Sequence, residues 1–419
     1  MRGRRFVPFV AGIAAGLSLG LMAGEAHADD NASVGVMDRP RPDYDAKGID
    51  VGGGFRLKPA VDVNVSYDDN VFRTETPTAS DTFATLRGGF DLRSNWGRHE
   101  LAFSAQIVRQ QYFSHQEANE TDWNVGASGR LDLAHRTTAS AEASYAVLHE
   151  PRSSPDEPGG ALNATRYSVL HADASLVHDP GIVALSEGGS FDRYVYEPTK
   201  LIGGGTFDNA DRNHDAYQGW GKVAYQPSPN LAVFLRGSYG GQTYDHKLDR
   251  NGFDREQQSF HADAGTDVHL THLLEGEVFV GYVNDRFHAP LQSVTGIDYG
   301  AALHWFATNL LTVHFTASRL FDDTTLDGAS ISDDQSLGLS ADYELLRNLI
   351  IQSHVSFLDS RFVGITRNDT TWEAGIGAKW LIDRYISAGA GYTFSHRSSS
   401  APGQNYNDNL ATAGLHFQL

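Results

Sequence analysis

The stretch from Asp369 to Leu381 reads D-T-T-W-E-A-G-I-G-A-K-W-L. Taken two residues at a time, Trp372, Ala374, Ile376, Ala378 and Trp380 fall on one face, and Glu373, Gly375, Gly377 and Lys379 on the other. That is the period of a strand with one apolar and one polar side. The two tryptophans are eight residues apart. At about 3.3 Å per residue and about 40° of tilt, this separates them by about 20 Å along a membrane normal. An outer-membrane barrel carries an outward apolar band about 25 Å tall with an aromatic girdle at each rim. A strand of a soluble sandwich also alternates, so the reading rests on how often the chain repeats the pattern.

From Lys58 to the last residue the alternation recurs. Val61, Val63, Val65 and Tyr67 oppose Asp62, Asn64, Ser66 and Asp68; Phe260, Ala262, Ala264, Val268 and Leu270 oppose His261, Asp263, Asp267 and His269. About eighteen such segments follow one another, the least regular being Gly181 to Tyr196, whose face is ambiguous around Glu187. Short connections such as Asn95 to Arg98, Ala134 to Arg136, Pro227 to Pro229 and Ile382 to Arg384 all fall at one phase of the hairpin count. Longer ones rich in Asp, Gly, Pro and Ser fall at the other. This sorting predicts an all-β fold, a transmembrane antiparallel up-and-down β-barrel with both chain ends on the periplasmic side. Arg109 and Arg319 share the parity of the apolar faces, but at the far ends of their strands, where a lipid-facing charge costs little.

Three divisions follow. Residues 1–28 carry Arg2, Arg4 and Arg5, an apolar run from Phe6 to Ala23 and the small-x-small site Ala26-His27-Ala28, which predicts an export signal cleaved before Asp29. Residues 29–57, with two prolines, mixed charge and the run Gly52-Gly53-Gly54, predict an extended periplasmic segment. Residues 58–419 are the expected barrel.

The 419-residue chain has no cysteine, which excludes disulfides, thiol nucleophiles and thiolate metal sites. Its net charge is −19, about −21 once the leader is removed, which argues against nucleic acid as a partner. A mean hydropathy of −0.36 is compatible with a barrel, because only alternate residues meet lipid. Nothing matches H-E-x-x-H, G-x-S-x-G or a phosphate-cradling glycine loop, so no catalytic residue, cofactor or metal is assigned. His149 and Ser168 are of the types a barrel hydrolase uses, but no spacing singles out a nucleophile. His261, Asp263, Asp267 and His269 share one strand face, where a metal would need further ligands from adjacent strands.

The polar faces nominate pore-lining residues: Lys222, Arg236, His261, Asp263, Asp267, His269, Glu275, Glu277, Asp342 and Glu373. Acids outnumber bases among inward positions, so an open pore should favour cations or neutral polyols over anions. Trp123, Trp305, Trp372, Trp380 and Tyr392 are the girdle candidates, with outer-membrane lipid as the partner.

The strings D-R-P-R-P-D-Y-D-A-K-G-I-D-V-G from Asp38, Y-D-D-N-V-F from Tyr67, R-S-N-W-G-R-H from Arg93, L-H-E-P-R-S-S-P-D-E-P from Leu148 and E-L-L-R-N-L-I from Glu344 carry a resemblance. Together they resemble the beta-barrel porin type 2 family of proteobacterial outer-membrane proteins, over essentially the whole mature chain. The last residue, Leu419, departs from the Phe or Trp that ends many barrels. The resemblance implies an outer-membrane barrel, often associated with exopolysaccharide production and export, and brings no catalytic residues. The function expected is a monomeric channel for polar solutes or a polysaccharide chain. Its rivals are a closed barrel that docks envelope export proteins through residues 29–57, and an outer-membrane lipid hydrolase.

Overall fold

A computed structural model describes residues 34–270 and 273–419, so the expected leader at residues 1–28 lies outside the described part. Eighteen long strands form one antiparallel sheet in chain order. They are β1 (Phe55–Asp68), β2 (Asp81–Ser94), β3 (Glu100–Tyr112), β4 (Glu120–Ala134), β5 (Thr137–His149) and β6 (Arg166–His178). Next come β7 (Val183–Tyr196), β8 (His214–Ser228), β9 (Leu231–Tyr244), β10 (Gln257–Leu270), β11 (Leu274–Phe287) and β12 (Val294–Thr308). The last six are β13 (Leu311–Asp323), β14 (Ile331–Leu346), β15 (Leu349–Phe362), β16 (Asn368–Leu381), β17 (Ile386–Ser399) and β18 (Tyr406–Gln418). The sheet closes where β1 pairs with β18, from Ala60 opposite Gln418 to Asp68 opposite Leu410.

Eight connections of two to five residues separate the strands at the end where β1 begins and β18 finishes, and nine of five to seventeen residues at the other. The first end is periplasmic in a barrel of this kind. Strands of 13 to 16 residues are taller than the hydrocarbon layer requires. Fourteen residues rise about 35 Å at about 40° of tilt, against an apolar band of about 25 Å. The surplus forms polar rims, and Arg109 and Arg319 sit there. Arg109 donates to Thr121 and Gln111. Arg319 meets Asp333 at 2.7 and 2.8 Å.

The ambiguous segment is strand β7, and two contacts explain why its pattern is weak. A Cβ on Gly188 would come within 2.8 Å of the Trp220 ring, so the inward tryptophan of β8 requires glycine on β7. Ala184 faces inward as well and packs with Ala224 and Phe234. Glu187 shares the outward parity of Leu185 and Phe191 and is exposed, four residues from the periplasmic end of its strand. It is a carboxylate on the lipid face, where an acid costs less than Lys or Arg would.

The N-terminal segment departs from its expected form. Gly52, Gly53 and Gly54 all have positive φ, between 63° and 84°, which lets Ile49–Gly52 fold back on Phe55–Leu57. The barrel wall therefore begins at Phe55, inside the stretch expected to precede it. Upstream, the chain turns into the periplasmic mouth of the lumen. Val36 is fully buried against Ile350 and Leu381, and its N–H donates to Thr312 Oγ1 at 2.9 Å.

The outward face carries a direct prediction. Ile376 is 57 % exposed at the middle of β16, and Trp380 stands near the periplasmic rim. Ile376→Arg should cost about 2–4 kcal/mol of unfolding free energy in lipid vesicles and Trp380→Arg about 0–1 kcal/mol, measured by denaturant titration. Equal costs would remove the membrane register.

Candidate functional site

In a closed wall the residues opposite the lipid face line the lumen, and the alternation of β8 to β11 places Lys222, Arg236, Asp263, Asp267 and Glu277 there. The five form one network. Lys222 donates to Asp267 at 3.2 Å and Glu277 at 3.0 Å, and Arg236 donates to Asp263 at 2.9 Å and Glu277 at 3.0 Å. Beneath them lies a small apolar floor of Phe234, Phe279, Ala184 and Ala224. The Lys222 ammonium stands 3.7 Å over the Phe234 ring and the Arg236 guanidinium 4.4 Å over Phe279. Cations held over ring faces and hydrogen-bonded to carboxylates are fixed in place, so this patch is a rigid piece of wall. Three acids against two bases leave it with an excess of one negative charge.

Histidine–carboxylate pairs recur around the rest of the lumen. His261 Nδ1 meets Asp298 at 2.9 Å, His314 Nε2 meets Asp342 at 3.2 Å and His354 Nε2 meets Glu373 at 3.1 Å. His171 with Asp192, at 2.6 Å, and His416 with Asp62, at 2.7 Å, repeat the arrangement. Glu275 stands between His269 and His304 in the ladders. Four of these five pairs join adjacent strands, while His261 on β10 reaches across β11 to Asp298 on β12, so the pairs depend on register and are not legible in any single segment. The polar face of β10 consequently divides: His261 turns to Asp298, Asp263 to Arg236 and Asp267 to Lys222. These groups do not converge on one metal.

The hydrolase candidates do not converge either, since His149 bonds Asp122 at 2.7 Å and Ser168 lies opposite Val147 in the ladder. A closer approach to a triad, not found by sequence reading, is Ser259 Oγ at 3.0 Å from His261 Nε2, with Asp298 on the far nitrogen. The Ser259 hydroxyl, however, donates to Asp285 and not to the imidazole. Ser259 is also laddered on both sides, opposite Gly240 and Asp285, so its flanking backbone donors serve the sheet and offer no oxyanion site.

Both mouths are narrowed by chain that folds inward. At the outer end, residues 150–165 reach across the barrel. Asp156 Oδ1 accepts from the Thr325 N–H at 2.7 Å and the Thr324 hydroxyl at 2.9 Å, and Arg397 donates to the Ser153 carbonyl at 2.6 Å. Arg212 grips Glu150 with both nitrogens and lies 4.1 Å over Tyr196. The neighbouring loop is sewn to this one through Leu162 N–H to Lys200 O at 2.7 Å and Ile202 N–H to Gly160 O at 2.9 Å. At the periplasmic end, Arg39 and Arg41 both donate to Glu344, at 3.3 and 3.1 Å, and Gln418 donates to the Tyr44 carbonyl at 3.0 Å.

On the lipid side, Trp305 and Trp380 stand near the periplasmic rim, Trp372 and Trp123 toward the outer one. Tyr392 is the seventh residue of a 14-residue strand, at mid-wall and away from either rim, with its hydroxyl donating to Asn409 at 2.5 Å.

Among solved structures the chain is similar to Pseudomonas aeruginosa OpdK crystallised with vanillate, at 10% identity over 87% of this chain and 99% of that one, TM-score 0.43. Acinetobacter baumannii OccAB3 gives 11% identity over 87% and 99%, TM-score 0.46, and P. aeruginosa OccK3 (OpdO) 13% over 87% and 95%, TM-score 0.44. No curated protein matches the chain. The family described as Putative beta-barrel porin 2 matches residues 41–419, the whole of the closed and lipid-faced wall and part of the segment before it, so the chain belongs to that family and is an outer-membrane β-barrel.

Proposed function

We propose that the protein is a non-enzymatic channel that passes polar solutes, or a saccharide chain in export, across the outer membrane. The observation that supports it most is an eighteen-strand wall, wide enough for an aqueous interior, whose inner face carries paired acids, bases and histidines on many of its strands. The fixed charges of the β8 to β11 patch are an acid-rich surface that favours cations and neutral polyols over anions. Inward-folded chain at both mouths supports the rival, a closed barrel with an envelope partner. In that reading residues 34–48 would have to leave the lumen to dock.

Planar-bilayer recording separates the two. The channel reading expects discrete steps from the full mature chain, and larger steps when residues 151–163 are replaced by a short Gly-Ser linker. Silence from both proteins would leave the closed barrel.

The loop also carries a pH dependence. Burial pushes the Glu157 carboxyl up to about 7 from 4.5, with the Arg152 guanidinium at 3.2 Å opposing it only in part. A carboxyl raised in the docked loop favours docking when protonated. That contribution is fully present below pH 4.5 and is lost as pH rises through about 7. Unit conductance should therefore grow between these limits and then level off, and Glu157→Gln should flatten the curve. A wild-type conductance independent of pH would contradict this.

A further inference from the structure

Three groups of acids and histidines lie outside the lumen network just described, each with ligand atoms within 4.8 Å of one another. Asp68, Asp69 and Asp408 already hold a cation, because the Arg73 guanidinium bonds Asp68 and Asp408. Asp254, Glu256 and His288 lie on the outer loops, and the His288 ring is 59 % exposed. The third group, Glu120, Asp122 and His149, is different. It joins two adjacent strands at the outer rim of the barrel, and the His149 side chain is only 11 % exposed.

Three features set this group apart. It mixes an imidazole with two carboxylates, the donor set that suits a borderline divalent transition ion better than a hard ion alone. The Glu120 carboxylate is half-buried and accepts no hydrogen bond from any described residue. The nearest strong cation, Arg152, is engaged elsewhere, by Glu157 at 3.2 Å and the Leu162 carbonyl at 2.9 Å. The carboxylate therefore stands beside Asp122 and His149 with no hydrogen-bond donor to meet it. Asp122 and His149 are joined at 2.7 Å, so Asp122 can either share the ion through its second oxygen or hold the imidazole in orientation from behind.

The geometry points to Glu120, Asp122 and His149 as a binding site for a divalent transition ion such as Zn2+, at the root of the loop that crosses the outer mouth. His149 is the last residue of β5, and Glu150 opens the loop. An ion held here ties β4 to that root and would restrict the loop where it leaves the wall. The inference does not require the barrel to conduct, so it stands or falls separately from the channel reading.

Calorimetry on the full mature protein, refolded in detergent and checked for its heat-modifiable gel migration, tests it. Titrated with ZnCl2, the wild type should bind one ion per chain. Glu120→Gln and His149→Ala should each weaken binding about tenfold or more, while His261→Gln, altered elsewhere in the lumen, should bind like the wild type. Asp122→Asn keeps the shape and should weaken binding to a similar or smaller degree. No Zn2+ uptake by the folded wild type overturns the site, as does binding that survives His149→Ala or disappears in His261→Gln. Uptake of Ca2+ in preference to Zn2+ overturns the assigned ion class.

Discussion

In hydrocarbon a backbone N–H or C=O without a partner costs several kcal/mol, and a sheet can meet that demand only by having no edge. The ladder between β1 and β18, nine residue pairs from Ala60–Gln418 to Asp68–Leu410, removes the edge. Much of the rest follows from it. Once the wall is closed, each strand must put one parity into lipid and the other into the interior, and a slip of one residue would exchange the two. The outward Leu, Val and aromatic side chains and the inward acids, bases and histidines are two consequences of one closure.

The interior then has its own problem, which is to hold many charges in a confined space. It does so by cross-strand pairing. Lys222 and Arg236 sit among three carboxylates over two phenyl rings, and imidazoles meet carboxylates one or two strands away. The same chemistry fastens the inward chain at both mouths, through Arg39 and Arg41 on Glu344 and through Asp156 on Thr324 and Thr325. These are polar contacts that water can replace, unlike the strand ladders, so a wall of this kind can stay rigid while the segments inside it remain exchangeable.

Period-two alternation in a single chain was enough to read the barrel, its strand number and the sorting of turns, because a sheet in lipid enforces that period at every strand. Strand β7 resisted for a local reason: Gly188 makes room for Trp220, and a glycine reports no face. Tyr392 was misplaced for a different reason. Residue type suggests a girdle, but only the register puts it halfway up the wall. The lumen pairs were invisible for the same cause, since His261 and Asp298 become neighbours only through the β10–β11–β12 alignment. The burial of Val36 rests on a contact 276 residues away, with Thr312, which no local pattern announces.

Closure at the seam can be tested without reference to function. The chain has no cysteine, so Val63→Cys with Leu415→Cys, directly opposed across β1 and β18, introduces a single pair, and Tyr225→Cys with Val233→Cys across β8 and β9 serves as a control. Opposed residues of an antiparallel pair lie about 4.5–5.5 Å apart at Cα, within reach of a disulfide. In vesicle-folded protein the account predicts that both pairs oxidise to intramolecular disulfides. A control pair that cross-links while the seam pair stays reduced, or links only between molecules, would contradict it.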